Sequence, residues 1–74
     1  MKKTIQINTP FIRLDAALKL AGVAATGGHA KAMVQGGQVL VNGQVCTQRG
    51  RKLTAGTVFS VAGEPAEYEV TAES

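Results

Sequence analysis

RLDAALKLAGVAATGGHAKAMVQGGQVLVNGQVCTQRGRK, residues 13–52, decides the fold of this 74-residue chain. It reads as a helix, a short connection, a second helix, and a β-hairpin followed by a basic segment. Leu14, Leu18 and Ala21, with Phe11 just before them, follow the three-and-four spacing of a buried helical stripe. The spacing predicts a first helix over residues 10–21. Thr9 is its N-cap, and Pro10 sits where a missing N–H does no harm. Arg13 and Asp15 lie off the stripe or at its edge. Asp15 and Lys19 are four apart in the favourable order, which makes Asp15 a helix-surface ion-pair partner and not a catalytic acid. Gly22 takes the left-handed position that follows a helix, with Val23 in reach of Leu18. Thr26 is a second N-cap. It opens a helix over residues 27–35 with Ala30, Met33 and Val34 inward, ended by Gly36-Gly37.

Working outward, Val39-Leu40-Val41 and Gln44-Val45-Cys46 flank Asn42-Gly43, the strongest short hairpin signal, because both turn residues must accept positive φ. Residues 58–62 form another strand after a turn at Ala55-Gly56. Gly63-Glu64-Pro65 turns the chain again. Residues 67–71, centred on Tyr68 to Val70, read as a last strand that pairs with a first strand at 4–7, where Ile5 and Ile7 share one face. The tail after Thr71 reads as loose. The expectation is one α+β domain spanning residues 1–74, with two helices on a small, mainly antiparallel sheet of four to five short strands.

Charge narrows the class of function. All eight cations and a single acid, Asp15, fall in residues 1–53, a net +7; Glu64, Glu67, Glu69 and Glu73 give the last 21 residues −4. Such asymmetry suits a polyanionic partner, although a solvated face on a basic domain has the same composition. Arg49, Arg51 and Lys52 are the densest cationic patch: arginine suits bidentate phosphate contacts, and lysine adds a point charge. Arg13 and Lys31 join it only if both helices present those sides to one region. Gly27 and Gly28 cost helix propensity in the first turn. Two readings stand side by side: the free N–H groups of a helix start admit phosphate oxygens, or the glycines allow close packing of this helix against the hairpin. His29, the only histidine, reads as a surface residue near ligand or solvent.

Other chemistries find no residues. Cys46 is the only cysteine, which excludes an internal disulfide and a cysteine-based zinc cluster, fits a reducing cytoplasm, and reads as a small core residue. One His and one Cys make neither a metal set nor a triad, and no P-loop is present. No catalytic residue, metal or cofactor is therefore expected. Gln6, Asn8 and Pro10 interrupt the segment after Met1-Lys2-Lys3, so neither secretion nor membrane insertion is expected. Aromatic content is low: Phe11 and Phe59 read as core, and Tyr68 lies in the acidic part. Base stacking is thus not expected; if the polyanion is RNA, shape and phosphate contacts to a folded RNA are.

The order and spacing of several short pieces resemble the S4 RNA-binding domain over residues 11–61. They are Arg13-Leu14-Asp15, Leu18, Gly22, the capped second helix with Ala30, Gly37 before Val39, Val41-Asn42-Gly43, Arg49 with Lys52-Leu53, and Gly56. Chain length, Gly27-Gly28-His29-Ala30-Lys31 and Arg49-Gly50-Arg51-Lys52-Leu53 resemble the small stand-alone bacterial members. The resemblance implies the αL arrangement, two helices packed on a small sheet, and RNA binding, often of ribosomal or transfer RNA. With the charge pattern, the expectation is a non-enzymatic, cytoplasmic monomer that binds structured RNA (rRNA or tRNA-like), with the ribosome as an expected partner. The resemblance places Arg13, Gly27, Gly28, His29, Lys31, Arg49, Arg51 and Lys52 on the RNA face. Larger members often carry Ser-Arg where this chain has Thr26-Gly27, so one phosphate contact is lost here and backbone N–H contacts gain weight. S4 domains also occur attached to pseudouridine synthases and tyrosyl-tRNA synthetases, but no catalytic domain is present in this sequence. Alternatives are a protein–protein adaptor using the acidic C-terminal part, and a β-grasp sulfur carrier. The latter is opposed by an Ala72-Glu73-Ser74 end in place of Gly-Gly.

Overall fold

Alternating apolar side chains build the sheet. Ile5 and Ile7, Val39 and Val41, Phe59 and Val61, and Tyr68 and Val70 are buried, whereas the residue between each pair is not. The computed structural model describes residues 2–72; Met1, Glu73 and Ser74 lie outside it, and with them the charge of Glu73 and the end of the tail. The elements are β1 Lys2–Ile7, β2 Ile12–Arg13, α1 Leu14–Leu20, α2 Gly27–Gln35, β3 Val39–Val41, β4 Gln44–Val45, β5 Lys52–Leu53, β6 Val58–Val61 and β7 Glu67–Ala72. Five strands form one sheet in the order β1-β7-β6-β3-β4, and β2 and β5 form a separate two-stranded piece. Only the β1–β7 pairing is parallel. Ala72, in the stretch expected to be loose, is paired with Ile7.

Register stacks the apolar residues row by row. Ile5 lies beside Val70, Tyr68 beside Phe59, Phe59 beside Val41, and Val61 beside Val39. The Phe59 and Tyr68 rings stack with centroids 5.3 Å apart, so Tyr68 is a core residue in spite of its acidic neighbours. Leu14, Ala17 and Leu18 of α1 and Ala30, Met33 and Val34 of α2 close this core from the helical side. Cys46 is buried with them, as expected of a small apolar residue.

Glycine is required at two helix ends. The N–H groups of Gly22 and Val23 donate to the Lys19 and Leu18 carbonyls, and those of Gly37 and Gln38 donate to Val34 and Met33. Gly22 and Gly37 hold φ of 77° and 75°, so each helix stops in the same left-handed cap. At the hairpin, Asn42 (φ 51°) and Gly43 (φ 83°) make the two-residue turn, and the Asn42 side chain accepts a hydrogen bond from the Val58 N–H at 3.1 Å.

The first helix begins at Leu14, four residues later than expected, and Thr9 does not cap it. The Thr9 hydroxyl donates to the Phe11 carbonyl at 2.8 Å. Phe11 itself is 39% exposed and is not core. The cause is tertiary: Ile12 and Arg13 are drawn into antiparallel pairing with Leu53 and Lys52, which holds the chain extended up to the helix. The second helix matches its expected bounds, and the Thr26 hydroxyl accepts the His29 N–H at 3.0 Å. Replacing Thr26 with alanine is expected to cost about 1 kcal/mol. A thermal melt should show a loss of about 4–8 °C for a domain of this size.

Candidate nucleic-acid interface

Arg13 and the basic segment meet because of how α1 starts. A helix leaves its first N–H groups without intrahelical acceptors. In α1 they are taken by backbone of the basic segment: Leu14 N–H donates to the Arg51 carbonyl at 2.9 Å and Asp15 N–H to the Arg49 carbonyl at 3.0 Å. Ala16 N–H donates to the Asp15 carboxylate at 2.9 Å. With both carbonyls turned toward the helix, Arg49, Arg51 and Lys52 keep exposed side chains at its N-terminal end. Arg13 is paired with Lys52 across β2 and β5. Its guanidinium lies over Gly50, where a Cβ would stand 3.8 Å from Nη2. Four of the expected cations therefore share one end of the domain.

Asp15 does not pair with Lys19 as its spacing suggested. Its carboxylate contacts Arg13 Nη2 at 3.2 Å and so holds the guanidinium in place. Lys19 is left on the outer side of α1, where it lines an open groove with Arg13, Asp15, Ala16, Leu20 and Gly27. The groove joins the outer side of α1 to the start of α2. Lys19 was not among the expected site residues; the three-residue steps from Arg13 through Ala16 to Lys19 were the available signal.

At the start of α2 the situation is the reverse of α1. Among the described residues, the N–H groups of Gly27 and Gly28 meet no protein acceptor. A Cβ added at Gly27 would find nothing within 4 Å, and one at Gly28 only the Thr26 hydroxyl at 3.9 Å. Close packing against the hairpin is thus not what these glycines serve. Two free donors stand at the positive end of a helix dipole beside the groove that Arg13 and Lys19 line.

Helical geometry divides the remaining candidates. At 100° per residue, Lys31 is about 40° round α2 from Gly27 and on the same flank, whereas His29 is on the opposite flank. There His29 lines a second depression with Val23, Met33, Gln38 and Glu64, and its Nδ1 accepts the Ala25 N–H at 3.4 Å. Lys2 also stands apart: its ammonium contacts Glu69 at 2.6 Å across β1 and β7. Hydrogen bonding to Glu69, and then the charge of that carboxylate, raises the Lys2 pKa. The +7 counted along the chain is consequently not all presented on one face. Among the described residues, no three His, Cys, Asp or Glu side chains are grouped to hold a metal ion. No helix among them is long and apolar enough to cross a membrane.

Comparison with known proteins agrees with the fold. The family model described as the S4 domain matches residues 5–71. The chain belongs to the S4 domain family. This S4 domain is 43% identical over 63 residues to the probable ribosome maturation protein RlbA of Bacillus subtilis, an alignment covering 85% of this chain and 89% of that protein. It also matches the solution structure of YbcJ from E. coli, described as revealing an αL motif involved in RNA binding. That match has a TM-score of 0.70 and 36% identity, and it covers 93% of this chain and 86% of YbcJ. Two helices on a five-stranded, mainly antiparallel sheet are the shared architecture.

Proposed function

We propose that this S4 domain binds structured RNA, ribosomal RNA in particular, without catalysing a reaction. It acts as a monomer in the cytoplasm and takes part in ribosome maturation. One observation carries the proposal: the Arg49 and Arg51 carbonyls seal the start of α1, and this gathers Arg13, Arg49, Arg51 and Lys52 at one end of α1, from which Arg13 lines the groove that reaches Gly27 at the open start of α2. The naming of RlbA as a probable ribosome maturation protein and the description of the YbcJ motif support the choice of RNA over other polyanions. In this reading the four cations and Lys19 engage phosphates, Gly27 and Gly28 donate backbone N–H groups to one more, and Lys31 extends the face along α2. His29, on the opposite flank of α2, is left outside it. Base identity plays a small part, because a folded RNA is met mainly through its backbone.

Gly27→Ala separates function from folding. Alanine is the better helix former and meets open space, so stability should be unchanged or rise by up to about 1 kcal/mol. The added methyl stands beside the N–H groups, so affinity for a ribosomal RNA hairpin, followed by fluorescence anisotropy, should fall several-fold. Undiminished binding by a stable Gly27→Ala protein would remove the helix start from the interface. Failure of the unaltered protein to bind any structured RNA would remove the proposal itself.

A further inference from the structure

Phe11 is the one exposed aromatic side chain among the described residues, and it lies on the basic face. Three large hydrophobic residues are exposed among those described: Phe11, Leu20 and Val45. Leu20 and Val45 are aliphatic, and Val45 lies on the edge strand β4. Phe11 differs in chemistry and in surroundings. The Lys52 ammonium lies 4.8 Å from its ring centroid. The following two residues are fixed by pairing with β5, and the Phe11 carbonyl is held by the Thr9 hydroxyl. The ring is thus carried on restrained backbone next to Arg13 and Lys52.

We propose that Phe11 and Lys52 form a subsite for one unpaired nucleotide, with the base stacked on the Phe11 ring and its phosphate on the Lys52 ammonium. The assignment rests on the RNA-binding reading above and adds to it. It reverses the expectation, drawn from composition, that no aromatic platform exists. An exposed cation–π contact is weak, so the ammonium gives up the ring readily when a base offers a larger surface. Every base has a π face, so the subsite selects for an unpaired base and not for its identity. The domain would then favour RNA hairpins carrying a bulged or looped-out nucleotide over continuous duplex.

The test uses two short RNA hairpins whose stems are closed by the same non-nucleotide linker, one with a single bulged 2-aminopurine and one fully paired, with the unaltered protein, Phe11→Ala and Phe11→Trp. The expected result is tighter binding of the bulged hairpin by the unaltered protein, with a change in 2-aminopurine fluorescence on binding. Phe11→Ala should weaken that binding between about five- and a hundred-fold and leave the paired hairpin within about twofold. Phe11→Trp should retain the preference, which distinguishes stacking from a fold effect. Equal binding of both hairpins by all three proteins would overturn the subsite while leaving the basic face standing. An equal loss on both hairpins in Phe11→Ala would overturn it as well. No binding of either hairpin by the unaltered protein would overturn both.

Discussion

Raising the salt concentration from about 50 to about 200 mM should weaken binding to a structured RNA by about two to three orders of magnitude. The figure follows from charge. About four to six phosphates can be met by Arg13, Lys19, Lys31, Arg49, Arg51 and Lys52, and each releases counterions with a slope near 0.9 in log affinity against log salt. Arg51→Ala should lower affinity for all structured RNAs alike and reduce that slope by about one. The side chain is exposed and the structural contact of Arg51 with α1 is its carbonyl, so this variant should remain folded. Asp15→Asn should act differently, by loosening the Arg13 guanidinium while making the face more positive. A salt-independent affinity would contradict phosphate contact as the mechanism.

Phe59→Ala should be the most damaging single change to the fold. Phe59 is 1% exposed, is the largest of the fully buried side chains, stacks on Tyr68 and lies beside Val41. Removing a buried phenyl ring costs about 3–5 kcal/mol. A chain of this size buries a modest core, and its whole stability is expected near the low end of about 5–15 kcal/mol. Urea titration followed by circular dichroism should find Phe59→Ala substantially unfolded at 37 °C. Phe59→Leu, which keeps most of the volume, should cost less than about 2 kcal/mol and still fold. A fully folded Phe59→Ala protein would mean that the ring is not central to the core.

Which features were legible in the sequence follows from the range of the interaction that sets them. The Thr26 cap, the Gly22 and Gly37 stops and the Asn42-Gly43 turn each depend on residues within a few positions, and all stand where local chemistry puts them. The start of α1 does not. Thr9-Pro10 has the form of a helix start, and Phe11 fits the spacing of Leu14 and Leu18, but pairing with Lys52 and Leu53 overrides both. The acceptors for the first N–H groups of α1 come from residues more than thirty positions away, and no periodicity reports them. Alternation gave the buried faces of β1 and β7 but not their parallel direction, since a two-residue period is the same read either way.

The candidate interface divides in the same way. Its cations were visible as composition, whereas their convergence depends on the β2–β5 pairing. Lys19 was obscured by an apparent partner in Asp15, which pairs with Arg13. Gly27 and Gly28 kept two readings until the space around them was known.

A backbone amide NMR titration with a ribosomal RNA hairpin, at low and at moderate salt, tests the central claim most directly. The predicted result is a set of shifts confined to Phe11 to Asp15, Lys19, Gly27 to Lys31 and Arg49 to Lys52, shrinking as salt is raised. Shifts confined to β6 and β7, or no shifts at all, would contradict it and leave the basic residues as solvated surface.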